Sequence, residues 1–259
     1  MTTFRLPSLF AALAVVSVAS IAAAQEHHPS APAKAPEAPA KSDTAPMTRF
    51  ANLYPFGTCA VLGKKLGSMG DPIIKVYDGR EVRFCCPGCP PKFEKDLAAS
   101  LKKLDEKIVA DQTPIYPLKT SVVSGKALPP KPVDVVSGNR LVRLADESEK
   151  AALSKEPAKF IAELDKAVIA AQSKDYPASL DTCPASGEKL NAEMGKPFDI
   201  VIAGRLVRLC CAGCDVDARK EPAKMIAAVD ATRKAAGAGG AKKAPEHKEG
   251  GDHSGHEHK

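Results

Sequence analysis

The sequence predicts an α+β fold that consists of three tandem units, each a β-hairpin followed by a helix. Between residues 51 and 235, similar segments recur at a period of about 60 residues, which is typical of an array of small modules. Short alternating apolar stretches flank hairpin-forming pairs such as Asp78-Gly79. Apolar residues at helical spacing then close the unit.

Each unit contains three recognisable segments. The first begins with Cys or Ser and has a glycine four residues later; the second begins with glycine and alternates Arg with apolar residues; the third opens the helix. In chain order the first segments are 59–66, 121–128 and 183–190, the second are 79–84, 138–144 and 204–209, and the third are 93–97, 155–160 and 220–225.

The strands and helices are predicted from these segments. Strands are expected at 73–77 and 81–84 in the first unit, and at 198–202 and 206–209 around Ala203-Gly204 in the third. A helix is expected to close each unit, and Pro157 and Pro222 stand where a first helical turn tolerates proline. In the first unit the helix shows one apolar stripe, formed by Phe93, Leu97, Leu101, Leu104 and Ile108.

The N-terminal residues are typical of an export signal. Arg5 supplies the positive charge, residues 9–21 the apolar run, and Ala22-Ala23-Ala24 the small-residue cleavage site. The predicted organisation is a signal peptide over 1–24, a disordered Ala/Pro-rich linker over 25–50, a cysteine-containing module over 51–110, a degenerate cysteine-free module over 111–172, a second cysteine-containing module over 173–235 and a disordered His-rich tail over 236–259.

The leader predicts a periplasmic or secreted protein that does not span the membrane after cleavage behind Ala24. Cysteines in that compartment can be oxidised. The net charge of +6 is spread over helices rich in both signs, for example at 92–96, and there is no basic block with interleaved aromatic residues. Nucleic acid is therefore excluded as an expected partner.

The eight cysteines fall into two groups of four, and all eight are candidate metal ligands. In each group three thiols lie within five residues, and the fourth lies 26 or 27 residues upstream, a distance that a hairpin folds back on itself. Gly88 is expected to permit the tight turn of the first group. Four thiolates suit zinc, and three suit copper(I) or another thiophilic metal. The two groups are Cys59, Cys85, Cys86 and Cys89, and Cys183, Cys210, Cys211 and Cys214.

Two other interpretations of the thiols stay open. The first is a disulfide-stapled interaction protein of the cell envelope, with Cys59 bonded to one of the three clustered thiols and Cys86 bonded to Cys89. The second is a thiol–disulfide exchange protein, although the βαβ setting of such catalysts is missing from the sequence. A unit of about 60 residues gains only about 3–5 kcal/mol from its core, which favours either a metal or disulfides.

The middle unit has lost every cysteine together. Ser121, Ala145, Asp146 and Glu149 stand at the ligand positions, whereas the strand and helix segments remain. Concerted loss is what a shared site predicts, whether that site is a metal or a disulfide. We expect this unit to fold by packing against its neighbours, and Asp146 and Glu149 to form an exposed acidic helix start rather than a site for a hard cation.

A lone Cys-x-x-x-Gly, a hairpin, Phe-Cys-Cys-x-Gly-Cys and a helix that opens Phe-x-x-Asp resemble the YHS/TRASH-like family of metal-binding modules. The resemblance covers 52–109 and 176–234, and 114–171 in degenerate form. It implies treble-clef-like or zinc-ribbon-like units in proteins of heavy-metal trafficking, sensing or resistance. The ligands that it implies are Cys59, Cys85 and Cys89, and Cys183, Cys210 and Cys214, with Cys86 and Cys211 as additional thiols.

The histidines all lie in the two predicted tails, so no catalytic set that includes histidine can be built from the modules. Four C-terminal histidines are secondary candidate ligands for a metal ion. We therefore predict an exported, non-enzymatic protein that binds zinc or copper(I) for buffering, resistance or delivery, with an envelope metal transporter or another envelope protein as partner. The four tail histidines are His247, His253, His256 and His258.

Overall fold

Three antiparallel two-stranded hairpins, one in each module, organise the fold. The computed structural model describes residues 50–190 and 195–240. The predicted signal peptide, the linker up to residue 49 and the histidines of the tail lie outside the described residues. The α+β class and the three hairpin-plus-helix units are confirmed. The strands are β1 (Ile73–Tyr77), β2 (Arg80–Phe84), β3 (Val133–Ser137), β4 (Arg140–Leu144), β5 (Phe198–Ile202) and β6 (Arg205–Leu209).

The hairpin turns have two residues, as predicted. Asp78 and Gly79 have φ angles of 50° and 76°, and Ala203 and Gly204 have 47° and 77°. A turn with two left-handed residues follows the twist of the strands that it joins. Ala203 adopts this conformation without being glycine, aspartate or asparagine, and its neighbour Gly204 takes the second left-handed position without strain.

Two helices close each module: the long helix that the sequence predicts, and a short helix before it. In the first module the predicted apolar stripe from Phe93 to Ile108 is therefore divided between them. The chain leaves the helical conformation at Asp96, Glu156 and Glu221, where φ is −140°, −133° and −127°. The residue before a proline is pushed out of the helical region, and Pro157 and Pro222 then begin the second helix. The helices are α1 (Cys89–Glu94), α2 (Leu97–Gln112), α3 (Lys150–Lys155), α4 (Pro157–Gln172), α5 (Asp215–Lys220) and α6 (Pro222–Gly240).

In the first module, the Asp96 side chain accepts a hydrogen bond from the backbone N–H of Ala99 and caps α2. Each module has a small apolar core beneath its second strand. These cores contain Val82, Phe84, Leu104 and Ile108 in the first module, Val142, Leu144, Phe160 and Leu164 in the second, and Val207, Leu209, Met225 and Val229 in the third.

An arginine–aspartate pair fixes the long helix of each module to its hairpin. The arginine is the first residue of the second strand, and the aspartate follows it by 25 residues on the long helix. In the middle module both partners are only 1% exposed, whereas in the outer modules the aspartate is partly exposed. The pairs are Arg80 with Asp105, Arg140 with Asp165, and Arg205 with Asp230.

Successive modules are joined by glutamines at the ends of the long helices. The Gln112 amide donates to the Asn139 carbonyl at 2.9 Å and accepts from the Leu141 N–H at 3.0 Å. Gln172 does the same for Gly204 and Leu206 of the third module, at 2.7 and 2.8 Å. Each helix therefore satisfies backbone groups at the turn of the next hairpin.

The first and third modules also touch. The Arg83 guanidinium donates to the carbonyls of Lys220 and Arg219, at 2.5 and 2.9 Å, near the end of α5. Phe50 is buried in the hydrophobic core of the third module. The three modules therefore pack on one another. In the part of the chain that is described, no helix has both the length and the apolar character needed to cross a membrane.

Candidate metal centres

The first thiol cluster forms where three structural elements meet. Cys59 lies in a tight turn that its own N–H closes on the Lys64 carbonyl at 2.7 Å, with Gly63 at a φ of 64°. Cys85 directly follows β2, and Cys89 is the first residue of α1. The hairpin folds the chain back, so the turn and the strand end come together as the spacing predicted.

The three Sγ atoms of Cys59, Cys85 and Cys89 all lie within 4.8 Å of one another, and all three residues are buried. The Sγ of Cys89 is 3.6 Å from that of Cys59 and 3.9 Å from that of Cys85. The backbone N–H groups of Val61 and Leu62 point at the Cys59 sulfur, at 3.4 and 3.5 Å. Such donors stabilise a thiolate.

The second cluster, in the third module, has the same arrangement. Cys183, Cys210 and Cys214 are buried and lie within 4.8 Å of one another, with 3.5 Å between the sulfurs of Cys210 and Cys214. Cys183 lies in the turn that Gly187 closes, and Cys210 directly follows β6. In place of Leu62 this cluster has Ser186, whose hydroxyl is 3.4 Å from the Cys210 sulfur.

The additional thiols lie at the outer side of each cluster. Cys86 is half-buried with its sulfur 3.4 Å from Cys89, and Cys211 is exposed with its sulfur 3.9 Å from Cys214. Gly88, expected to permit this turn as glycine, has a φ of −77° that any residue adopts, and a Cβ there would meet open space. That expectation was wrong, because the turn is the beginning of a right-handed helix.

Within the first cluster, the surroundings lower the pKa of one thiol and raise that of another. Burial raises the pKa of Cys59, but hydrogen bonds from the backbone of Leu62, Cys85 and Val61 outweigh it and lower the pKa to about 7. Burial and the hydrogen bond with Cys86 raise the pKa of Cys89 to about 12. Each cluster thus combines a thiol that ionises readily with one that holds its proton.

The second cluster repeats this division. Burial raises the pKa of Cys183, but hydrogen bonds from the hydroxyl and the backbone of Ser186 outweigh it, and the pKa falls to about 7. Burial raises the pKa of Cys214 to about 12, together with the hydrogen bond to Cys210. Among the outer thiols, the backbone N–H of Cys214 lowers the pKa of Cys211.

The sulfur positions fit a bound metal ion. A tetrahedral zinc site with Zn–S bonds of about 2.3 Å separates its sulfurs by about 3.8 Å. Five sulfur–sulfur separations in the two clusters lie between 3.4 and 3.9 Å, and no separation within either triad exceeds 4.8 Å. All eight cysteines are free thiols, and these separations are much longer than a disulfide bond of about 2.05 Å. Both clusters could therefore hold a thiophilic ion without rearranging the backbone.

The middle module replaces the thiol cluster with a hydrogen-bonded carboxylate. Glu149 is buried, and its carboxylate accepts from the hydroxyls of Ser121 and Ser124, each at 2.5 Å, and from the Ala145 N–H at 3.1 Å. The prediction of an exposed acidic start was therefore wrong for Glu149. Asp146 is partly exposed and caps the following turn by accepting from the Ser148 N–H.

The sequence predicts the ligand positions of the middle module correctly, but it does not predict that a buried, hydrogen-bonded carboxylate occupies them. Ser121, Ala145 and Glu149 meet as the corresponding cysteines do in the outer modules. A serine three residues after the first ligand position, Ser124 and Ser186, was the available signal. This position reaches the site in both modules, by hydrogen bonding to Glu149 in one and by approaching Cys210 in the other.

The predicted ligands in the C-terminal tail, from His247 onward, lie outside the described residues. Comparisons with models of protein families, with curated proteins and with solved structures found no match. The candidate metal centres therefore rest on the geometry of the described residues, which form repeated hairpin-plus-helix units with two buried cysteine triads that could hold a metal ion.

Proposed function

We propose that the chain is a metal-binding protein with two competent thiol sites, in its first and third modules. The observation that carries this proposal is the pair of buried triads, Cys59 with Cys85 and Cys89, and Cys183 with Cys210 and Cys214. Buried thiols that converge on one point in two modules, and are replaced together in a third, are the pattern that a shared ion requires.

The expected ion is zinc or copper(I). Four sulfurs per site would favour zinc, and the buried triad alone would favour copper(I), because soft thiolates select soft or borderline ions. The YHS/TRASH-like resemblance of the cysteine segments supports a role in metal buffering, resistance or delivery. Cys86 and Cys211 are the sulfurs that decide between three and four ligands.

The site of action that we propose is the periplasm or the cell exterior. The export signal that the sequence predicts over 1–24 supports it, and an envelope metal transporter or another envelope protein is the proposed partner. We propose that the protein is not an enzyme, because residues 50–190 and 195–240 contain no histidine and the thiol clusters of the first and third modules are typical of soft-metal ligands. N-terminal sequencing of the protein from a periplasmic fraction should begin at Gln25.

The metal proposal is tested by native mass spectrometry together with elemental analysis of the full chain from Gln25 onward. We expect two equivalents of zinc or copper per chain after the tail histidines are replaced by alanine. Replacing Cys59, Cys85 and Cys89 by serine should remove one equivalent, whereas Ser121→Ala, at the matched position of the middle module, should remove none.

The disulfide alternative gives the opposite results. A metal protein should lose stability when a chelator is added and keep it in a mild reductant, because a structural zinc site contributes about 10 kcal/mol at neutral pH. A disulfide-stapled protein should resist the chelator and lose stability in the reductant. Absence of bound metal together with zero free thiols would overturn the proposed function.

A further inference from the structure

The two thiol clusters have the same cysteine positions but different outer thiols. Cys86 is half-buried, with its sulfur 3.4 Å from Cys89. Cys211 is exposed, with its sulfur 3.9 Å from Cys214. The fourth sulfur of the first module therefore covers its cluster, whereas the fourth sulfur of the third module lies at the surface.

The segments around Cys89 and Cys214 also differ in stiffness. Prolines surround Cys89 at positions 87, 90 and 91, whereas Ala212, Asp215 and Val216 stand at the corresponding positions around Cys214. Proline fixes φ and reduces the number of conformations that an opened segment could reach. The segment around Cys89 therefore has less freedom to move its sulfurs away from one another.

Aromatic packing protects the first cluster. Phe93, one helical turn after Cys89, is buried edge-to-face against Phe84 at 5.4 Å between ring centroids, and it lies 5.3 Å from Tyr77. Ala218 occupies the corresponding position, four residues after Cys214. A ring buries far more apolar surface than a methyl group, so water is excluded more strongly from the first cluster.

The turn that carries the first ligand differs in polarity. The first module has Leu62 there and the third has Ser186, whose hydroxyl is 3.4 Å from the Cys210 sulfur. A hydroxyl that donates to a thiolate competes with a metal for the electrons of that sulfur. Outer-shell hydrogen bonds that raise the basicity of a ligand strengthen metal binding by about 10–100-fold, and a hydroxyl that donates to a thiolate acts in the opposite direction by lowering its basicity. The polar side chain therefore favours exchange in the third module.

We propose that the cluster of the third module is an exchangeable metal site and that the cluster of the first module is a retentive one. This inference rests on the proposed metal-binding function. Cys211 is the exposed sulfur at which exchange would begin. If it holds the ion as a fourth ligand, a donor atom of the acceptor would replace it, and the released thiolate would take a proton from water or buffer without any change of oxidation state.

The test measures zinc release from the full chain from Gln25 onward, with the tail histidines replaced by alanine. The zinc-loaded protein is mixed in a stopped-flow instrument with a large excess of a chromogenic chelator. Two phases of equal amplitude are expected, with rates at least about tenfold apart. Serine at Cys183, Cys210 and Cys214 should abolish the fast phase, and serine at Cys59, Cys85 and Cys89 the slow one.

Reciprocal substitutions serve as matched controls. Ser186→Leu should slow the fast phase and Leu62→Ser should accelerate the slow phase, with circular dichroism showing that both variants keep the fold. Iodoacetamide should label Cys211 of the zinc-loaded protein before Cys86, read by peptide mass spectrometry. One common release rate, or a fast phase that belongs to the first module, overturns the inference while leaving the metal function intact. Failure of either cluster to bind zinc or copper overturns the function itself.

Discussion

Ser121 donates a hydrogen bond of 2.5 Å to the Oε2 atom of Glu149, at positions where the outer modules hold Cys59 with Cys89 and Cys183 with Cys214. A carboxylate and two hydroxyls thus connect the turn to the helix start in the middle module. The outer modules close this junction with cysteine triads, and the middle module closes it with a carboxylate and two hydroxyls. The junction is part of the fold, and thiols are one way of making it.

Removing the Glu149 carboxylate should destabilise the protein. Glu149→Ala leaves the hydroxyl of Ser121 and the N–H of Ala145 without their acceptor in a buried place, and each such group costs about 1–3 kcal/mol. Urea unfolding of the purified chain measures the loss. Glu147→Ala, on the exposed side of the same turn, is the control and should change the free energy of unfolding by less than about 0.5 kcal/mol. Equal effects of the two would contradict the role of the buried carboxylate.

The same carboxylate should make stability depend on pH. Burial raises the pKa of Glu149, but hydrogen bonds from Ser121, Ser124 and Ala145 outweigh it and hold the pKa below its ordinary value. An unfolded glutamate has a pKa of about 4.3, so the stabilisation is complete above that value and is lost as the pH falls towards the folded pKa.

The measurement for this prediction compares the original protein with Glu149→Gln between pH 7 and pH 3. The stability advantage of the original protein should shrink below about pH 4.3. Both proteins share the same thiol sites, so acid release of metal cancels in the difference. A difference that stays constant over the whole range would show that Glu149 does not carry the effect.

A third metal site should be recoverable in the middle module. The triple variant Ser121→Cys, Ala145→Cys and Glu149→Cys places thiols at the positions that converge in the outer modules. With the tail histidines replaced by alanine, metal stoichiometry by elemental analysis should rise from two to three equivalents per chain. The double variant without the change at Glu149 is the control and should stay at two. A triple variant that folds and stays at two would show that the middle backbone has diverged from the site geometry.

The contact between the first and third modules should depend on Arg83. Arg83→Ala removes two donors to the carbonyls of Lys220 and Arg219, which should cost about 1–3 kcal/mol. Arg143, at the same position of the middle module, pairs with the partly exposed Asp134, and Arg143→Ala should cost less than about 1 kcal/mol. Thermal unfolding compares the two variants, and equal losses would contradict the importance of this contact.

Removing the Gln112 side chain, which joins the first two modules, should also destabilise the protein. Gln112→Ala deletes the hydrogen bonds to the Asn139 carbonyl and the Leu141 N–H, with an expected loss of about 1–3 kcal/mol per buried group left unpaired. Lys103→Ala, on the exposed face of the same helix, should be close to neutral. Hydrogen exchange at Leu141 should accelerate in the first variant and stay unchanged in the second.

Much of the fold is local and therefore predictable. Asp78-Gly79 and Ala203-Gly204 place the hairpins because few residue pairs tolerate two left-handed positions, and the 60-residue period reveals the number of units. In the second and third modules Pro157 and Pro222 encode the break between the two helices, because the residue before a proline is pushed out of the helical conformation. In the first module Asp96 makes the same break without proline, by capping α2 with its side chain.

The sequence by itself determined the hairpins and the spacing that brings Cys59 to Cys85 and Cys183 to Cys210, because chain connectivity and turn geometry are local properties. Tertiary structure alone decided that Glu149 is buried, that Arg83 reaches the third module and that Cys211 is exposed while Cys86 is half-covered. These outcomes depend on which surfaces meet and on which polar groups find partners there, and both are set by residues distant in the sequence.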